Sequence, residues 1–82
     1  MAVDYLIKVT ECKPLPDYRL AVTCSDGAKG VFDMSGYMTR GMFREVNTPS
    51  LFNAVRLVHG VPTWPGDIDI APERVRSDMS VD

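Results

Sequence analysis

Apolar residues recur at every second position near the start of the chain, where Tyr5, Ile7 and Val9 alternate with Leu6, Lys8 and Thr10. A period of two belongs to extended chain, so the pattern predicts a half-buried strand over residues 5–12. Lys13-Pro14-Leu15-Pro16-Asp17 should end it, because two prolines remove backbone donors and fix φ. Tyr18, Leu20, Val22 and Cys24 again share a parity and predict a second strand over 18–25, turning at Ser25-Asp26-Gly27 into a third over 29–34. A two-residue Asp26-Gly27 loop would set Leu20 against Asp33. A three-residue loop with Gly27 in the left-handed position sets Val22 against Phe32 and Leu20 against Met34, which keeps apolar residues on one face and is preferred.

Beyond Ser35 the period lengthens. Tyr37, Met38, Met42, Phe43 and Val46 fit one face of a helix, while Gly36 and Gly41 weaken it enough to shorten or break it. Thr48 can cap and Pro49 suits a first helical position, giving a single turn at 50–53. Residues 54–59 read as a fourth strand ended by Gly60. Residues 61–64 and 68–70 read as a fifth, bent or interrupted at Pro65-Gly66, with Asp67 and Asp69 on one face and Ile68 and Ile70 on the other. Pro72 opens a short C-terminal helical turn containing Val75. The expected architecture is α+β: one domain over 1–78, with a small, mostly antiparallel sheet of four to five strands and one main short helix. Residues 79–82 are expected to form a frayed tail.

Size and charge narrow the reading further. Eighty-two residues hold one hydrophobic core, and 45% hydrophobic against 24% charged residues excludes a disordered chain. The net charge is −2 and the nine Lys and Arg residues are dispersed, which disfavours direct nucleic-acid binding. The N-terminus lacks the charged start and apolar run of a signal peptide, and no apolar stretch approaches the roughly 18 residues of a membrane span, so a cytoplasmic address away from membranes is expected. Cys12 and Cys24 fit no metal or redox spacing. Strand parity turns Cys12 away from the core set Tyr5, Ile7 and Val9, so both are expected to be reduced thiols.

Several residues, taken in order, resemble the bacterial domain-of-unknown-function family numbered 2442 over nearly the whole chain. They are Tyr18-Arg19-Leu20-Ala21-Val22, Asp26-Gly27, Asp33-Met34, Phe43, Phe52 with Val55 and Leu57, the run Trp64-Pro65-Gly66-Asp67-Ile68, and Pro72-Glu73. The resemblance implies a small α+β domain with a mostly antiparallel sheet. It also implies an antitoxin-like or accessory binding role, since some members are encoded beside a small basic partner domain. Others carry an appended helix-turn-helix domain, which this sequence is not expected to contain. Two departures stand out: Ala71 replaces the capping serine often found before Pro72, and Val75-Arg76 replaces a terminal apolar or aromatic pair. The last element is therefore expected to dock less firmly. The family supplies no catalytic residues to carry over.

Candidate chemistry is sparse. Asp67 and Asp69 could offer oxygens to a divalent cation, but a hard cation takes about six and no calcium-loop spacing surrounds them; turn formation or pairing with arginine explains them as well. His59, the single histidine, ends an apolar strand without a nucleophile or orienting carboxylate at a known spacing. Met34, Met38 and Met42 stand four apart, as an adaptable binding stripe or, more commonly, as packing against the sheet. Trp64 is expected to be buried beside the short helix with its indole N–H bonded to a carbonyl, the competing role being an exposed interface anchor. These residues predict a non-enzymatic domain without cofactor that binds another protein, a small basic one fitting best, with a homodimer through edge strands as a further expectation. The candidate partner surface comprises Trp64, Asp67, Asp69, Met38, Met42 and His59. The alternative is a small-molecule or divalent-metal sensing module around Trp64–Asp69.

Overall fold

A computed structural model describes residues 6–81. The first three strands, β1 (Val9–Leu15), β2 (Arg19–Cys24) and β3 (Lys29–Asp33), form an antiparallel meander. The register of β1 shifts between Val9, opposite Cys24, and Glu11, opposite Thr23, so Thr10 is one residue too many. Such a bulge inverts the parity of everything after it. It brings Cys12 opposite Val22 and Pro14 opposite Leu20, so Cys12 packs against the core instead of pointing away from it. The strand also runs through Pro14 rather than ending before it. β1 is the outermost strand of its sheet, where a missing N–H costs no ladder bond. Of its predicted core residues, Ile7 and Val9 are buried, and Tyr5 lies outside the described residues.

The β2–β3 loop has the expected three residues, with Gly27 at φ 87° and the Asp26 carboxylate accepting from the Ala28 N–H at 3.1 Å. Its register differs by two residues from expectation, because the hairpin closes on Cys24 and Ala28. Leu20 therefore faces Phe32 and Val22 faces Gly30, which leaves the apolar parity intact. Gly30 makes room for a strand where a frayed tail is expected from the sequence. β7 (Ser80–Val81) pairs with Gly30 and Val31, and a Cβ on Gly30 would run into the Ser80 carbonyl. Residue 82 lies outside the described residues.

Between the sheets the expected main helix is two 3₁₀ segments, Ser35–Tyr37 and Gly41–Val46, separated as Gly36 and Gly41 suggested. α1 (Pro49–Phe52) is the single turn anticipated, capped by Thr48 Oγ1 accepting from the Leu51 N–H at 3.3 Å. A second antiparallel sheet follows: β4 (Arg56–Val58), β5 (Val61–Trp64) and β6 (Ile68–Asp69). His59 and Gly60, at φ 51° and 78°, make a two-residue turn that sets Val58 opposite Val61. The predicted fifth strand is thus two strands. Gly66 and Asp67, at φ 89° and 60°, reverse the chain so that Trp64 lies opposite Ile68. The sheets meet where the Val9 N–H donates to the Gly60 carbonyl at 2.9 Å.

α2 (Pro72–Asp78) has no side-chain cap at Ala71, as expected, yet it docks firmly. Val75 is fully buried, Met79 is buried beyond the helix end, and Arg76 Nε donates to Asp26 Oδ2 at 2.9 Å. The class is α+β, with two small sheets instead of one. Their core is joined by a chain of ring contacts running Phe32–Tyr37–Phe43–Trp64–Phe52–Tyr18, with centroids 5.2–6.0 Å apart. Three of the five pairs are edge-to-face, an arrangement that adds to the stabilisation from burial alone.

Candidate functional site

Trp64 is in the middle of that ring chain and only 1% exposed. β5 ends on it, Ile68 faces it across the turn, and its indole N–H donates to the Phe52 carbonyl at 2.9 Å. This bond joins the one from the Val55 N–H at 3.3 Å on the carbonyl at the last residue of α1, and ties that turn to the second sheet. Trp64 is therefore a closing side chain and leaves the candidate partner surface. Met38 leaves it too. Met34 and Met38 are buried, and only Met42, at the start of the second 3₁₀ segment, faces solvent, 59% exposed. The stripe breaks because the chain is not one continuous helix: Gly41, at φ 52°, redirects it between Met38 and Met42.

The segment beneath Met42 is held by its neighbours. Phe43 packs edge-on against Trp64 at 5.7 Å and against Tyr37 at 6.0 Å, and Val46 is buried. Met42 therefore projects from a fixed support, in an open groove that it shares with Gly41, Arg44 and Glu45. A flexible thioether in such a place adapts to an opposing surface at low cost.

Asp67, in the turn, and Asp69, opposite Thr63, are both exposed and make no ion pair among the described residues. No group of three or more His, Cys, Asp or Glu side chains that could hold a metal ion occurs among the described residues. His59 is exposed in its turn, without a hydrogen bond or ion pair among the described residues. The six candidates thus do not converge: two are core, three are separate polar positions on turns and an edge strand, and Met42 is an apolar projection.

The thiols are reduced, and burial pushes the Cys12 thiol up to about 11. Burial also raises Cys24, with Asp26 adding to the rise and Arg76 opposing it. Neither is poised as a thiolate. Asp33, beside the family residue Met34, is held below the ordinary carboxylate value by accepting from the Ser35 N–H at 2.9 Å, which fixes the entry to the first 3₁₀ segment.

Local sequence pattern does not reveal the contact between the β1–β2 turn and α1. A cleft of about 180 Å³ opens between the β1–β2 turn and α1, with Pro14, Pro16, Tyr18 and Pro49 on its walls and Phe52 and Asn53 beside them. Its signal was the density of prolines around 14–16 and at 49, which local reading assigned to strand termination and helix initiation separately. No helix among the described residues is long and apolar enough to cross a membrane.

The family model described as "Protein of unknown function (DUF2442)" matches residues 9–77. No curated protein and no solved structure matches the chain.

Proposed function

The chain belongs to the DUF2442 family, and from that premise we propose that it is a non-enzymatic accessory module that binds another protein through the surface around Met42. The observation that carries this reading is a large apolar side chain, 59% exposed, on a segment anchored from below by Phe43 and Val46. Flanking Arg44 and Glu45 give the apolar contact a polar rim, the arrangement by which interfaces exclude water around an anchor. The partner that fits best is a small basic protein. The chain carries a net charge of −2, and Glu45, Asp67 and Asp69 make no ion pair among the described residues. Attraction between opposite charges speeds encounter and suppresses wrong partners. An antitoxin-like role, neutralising such a partner, is the regulatory form of this reading.

The experiment is parallel affinity capture with the wild-type chain and Met42→Asp. A stoichiometric partner retained by the wild type and lost by the variant supports the reading. Capture unchanged by the substitution, or only self-association of the chain by light scattering, contradicts it.

A further inference from the structure

We propose that Met42 is a redox-sensitive modification site: a hydroperoxide converts its thioether to the sulfoxide ahead of the other described methionines, and the modified side chain no longer anchors the partner. The proposal rests on the protein-binding reading of this surface and adds its regulation. Accessibility separates Met42 from the rest. Met34, Met38 and Met79 are 0%, 2% and 6% exposed, against 59% for Met42, which lines an open groove with Gly41, Arg44 and Glu45. A close-packed interior admits neither peroxide nor the water that carries its proton, so the three buried sulfurs are shielded while Met42 meets both.

The step is a two-electron oxygen transfer. A lone pair on the Met42 sulfur attacks one oxygen of hydrogen peroxide, and an S–O bond forms as the O–O bond breaks. The departing hydroxide takes the proton of the transferred oxygen and leaves as water. The thioether is oxidised by two electrons and the peroxide is reduced by two. A thioether has no proton to lose, so no activating base is required. The competing sulfurs, the two thiols, do need to ionise, because the thiolate is the nucleophile. Burial pushes Cys12 up to about 11 and also raises Cys24, so both stay protonated at neutral pH.

The fold tolerates both states of Met42. Its segment is held from below by Phe43, edge-on to Trp64 at 5.7 Å and to Tyr37 at 6.0 Å, and by the buried Val46. None of these contacts uses the Met42 sulfur. A polar S=O group there remains in water, whereas the same group on Met34 or Met38 would have to enter the core. Against a partner the cost reappears, because the oxygen is either buried in an apolar contact or the contact is lost. A modification that alters the surface and spares the fold is also reversible, since sulfoxide reductases return the thioether.

The test treats the whole chain with hydrogen peroxide at neutral pH and maps oxygen incorporation by peptide mass spectrometry. Met42 should oxidise at least about tenfold faster than Met34, Met38 and Met79, with circular dichroism and the urea midpoint unchanged. Affinity capture then compares the untreated chain, the oxidised chain, and the oxidised chain after methionine sulfoxide reductase. Oxidation should lower capture of the Met42-dependent partner by about tenfold, and the reductase should restore it. Capture by Met42→Leu, whatever its starting level, should not change on treatment. Oxidation of Met42 no faster than of the buried methionines overturns the proposal. Capture that survives complete oxidation of Met42, or that is lost equally from treated Met42→Leu, overturns it too; each of these leaves the protein-binding reading standing. Absence of any partner lost on Met42→Asp contradicts that reading, and the switch falls with it.

Discussion

Trp64 and Met42 are both large apolar side chains in short elements, one ending a strand and the other in a 3₁₀ segment, and both lie close to Phe43, one against its ring and the other beside it in sequence. One is 1% exposed and the other 59%. Trp64 has a ring on each side and a carbonyl for its N–H, so turning it inward leaves nothing unsatisfied. Met42 follows directly on Gly41, whose left-handed φ swings the chain outward just as the helical period would have brought it in. The difference teaches that the most distinctive residue of the sequence closes the fold, while the residue available to a partner was placed by a glycine. Family identity and binding surface are carried by different side chains.

Removing Trp64 should break this contrast most severely. Trp64→Ala deletes two ring contacts and leaves the Phe52 carbonyl with the Val55 N–H alone, at a cost of about 3–5 kcal/mol by urea denaturation, enough to unfold much of so small a domain. Trp64→Phe keeps a ring and loses the hydrogen bond, and should cost about 1–3 kcal/mol. Gly30→Ala comes next, at about 1–3 kcal/mol, because the new methyl group displaces β7. Amide exchange should then accelerate at Ser80 and Val81 before the rest of the sheet.

Smaller effects come from titration. The Cys12 thiol sits near 11 in the fold against an ordinary value of 9.0, so its contribution is whole below pH 9.0 and is lost as pH climbs through about 11. Cys12→Ala should flatten the alkaline limb of a stability–pH curve across that window. Asp26, through the Arg76 side chain, and Asp33, through Ser35, are both depressed below 3.8. Their contribution is present above that value and fades as pH falls through the lower folded values. Both carboxylates are exposed, so Asp33→Asn should soften the acid limb only slightly. Smallest of all, Met42→Asp should shift the urea midpoint by no more than about 0.5 kcal/mol in stability, since its side chain covers little of the core.

The legible parts of the fold were those governed by local period and turn chemistry. The β2 core set Leu20, Val22 and Cys24, the length of the Gly27 loop though not its register, and the Thr48–Pro49 start to α1 were readable from residue types at fixed offsets. Decisions made across the fold escaped. The Thr10 bulge is specified by the partner strand and not by β1, so Cys12 was assigned to the wrong face. β7 exists because Gly30, fifty residues earlier, leaves room for it, and Arg76 reaches back to Asp26. The cleft at Tyr18 needed two distant proline clusters to be brought together. Of the candidate site residues, Trp64 was correctly placed beside the short helix with a carbonyl partner, and Met42 was separated from Met34 and Met38 only by the observed break at Gly41.

The central claim, that Trp64 closes the fold from within, can be tested by collisional quenching of the chain's single tryptophan. Blue-shifted emission that resists acrylamide in the native protein, and becomes freely quenched in urea with the same midpoint as the loss of secondary structure, is the predicted result. Native emission quenched as readily as that of the unfolded chain would place Trp64 at the surface and contradict the account.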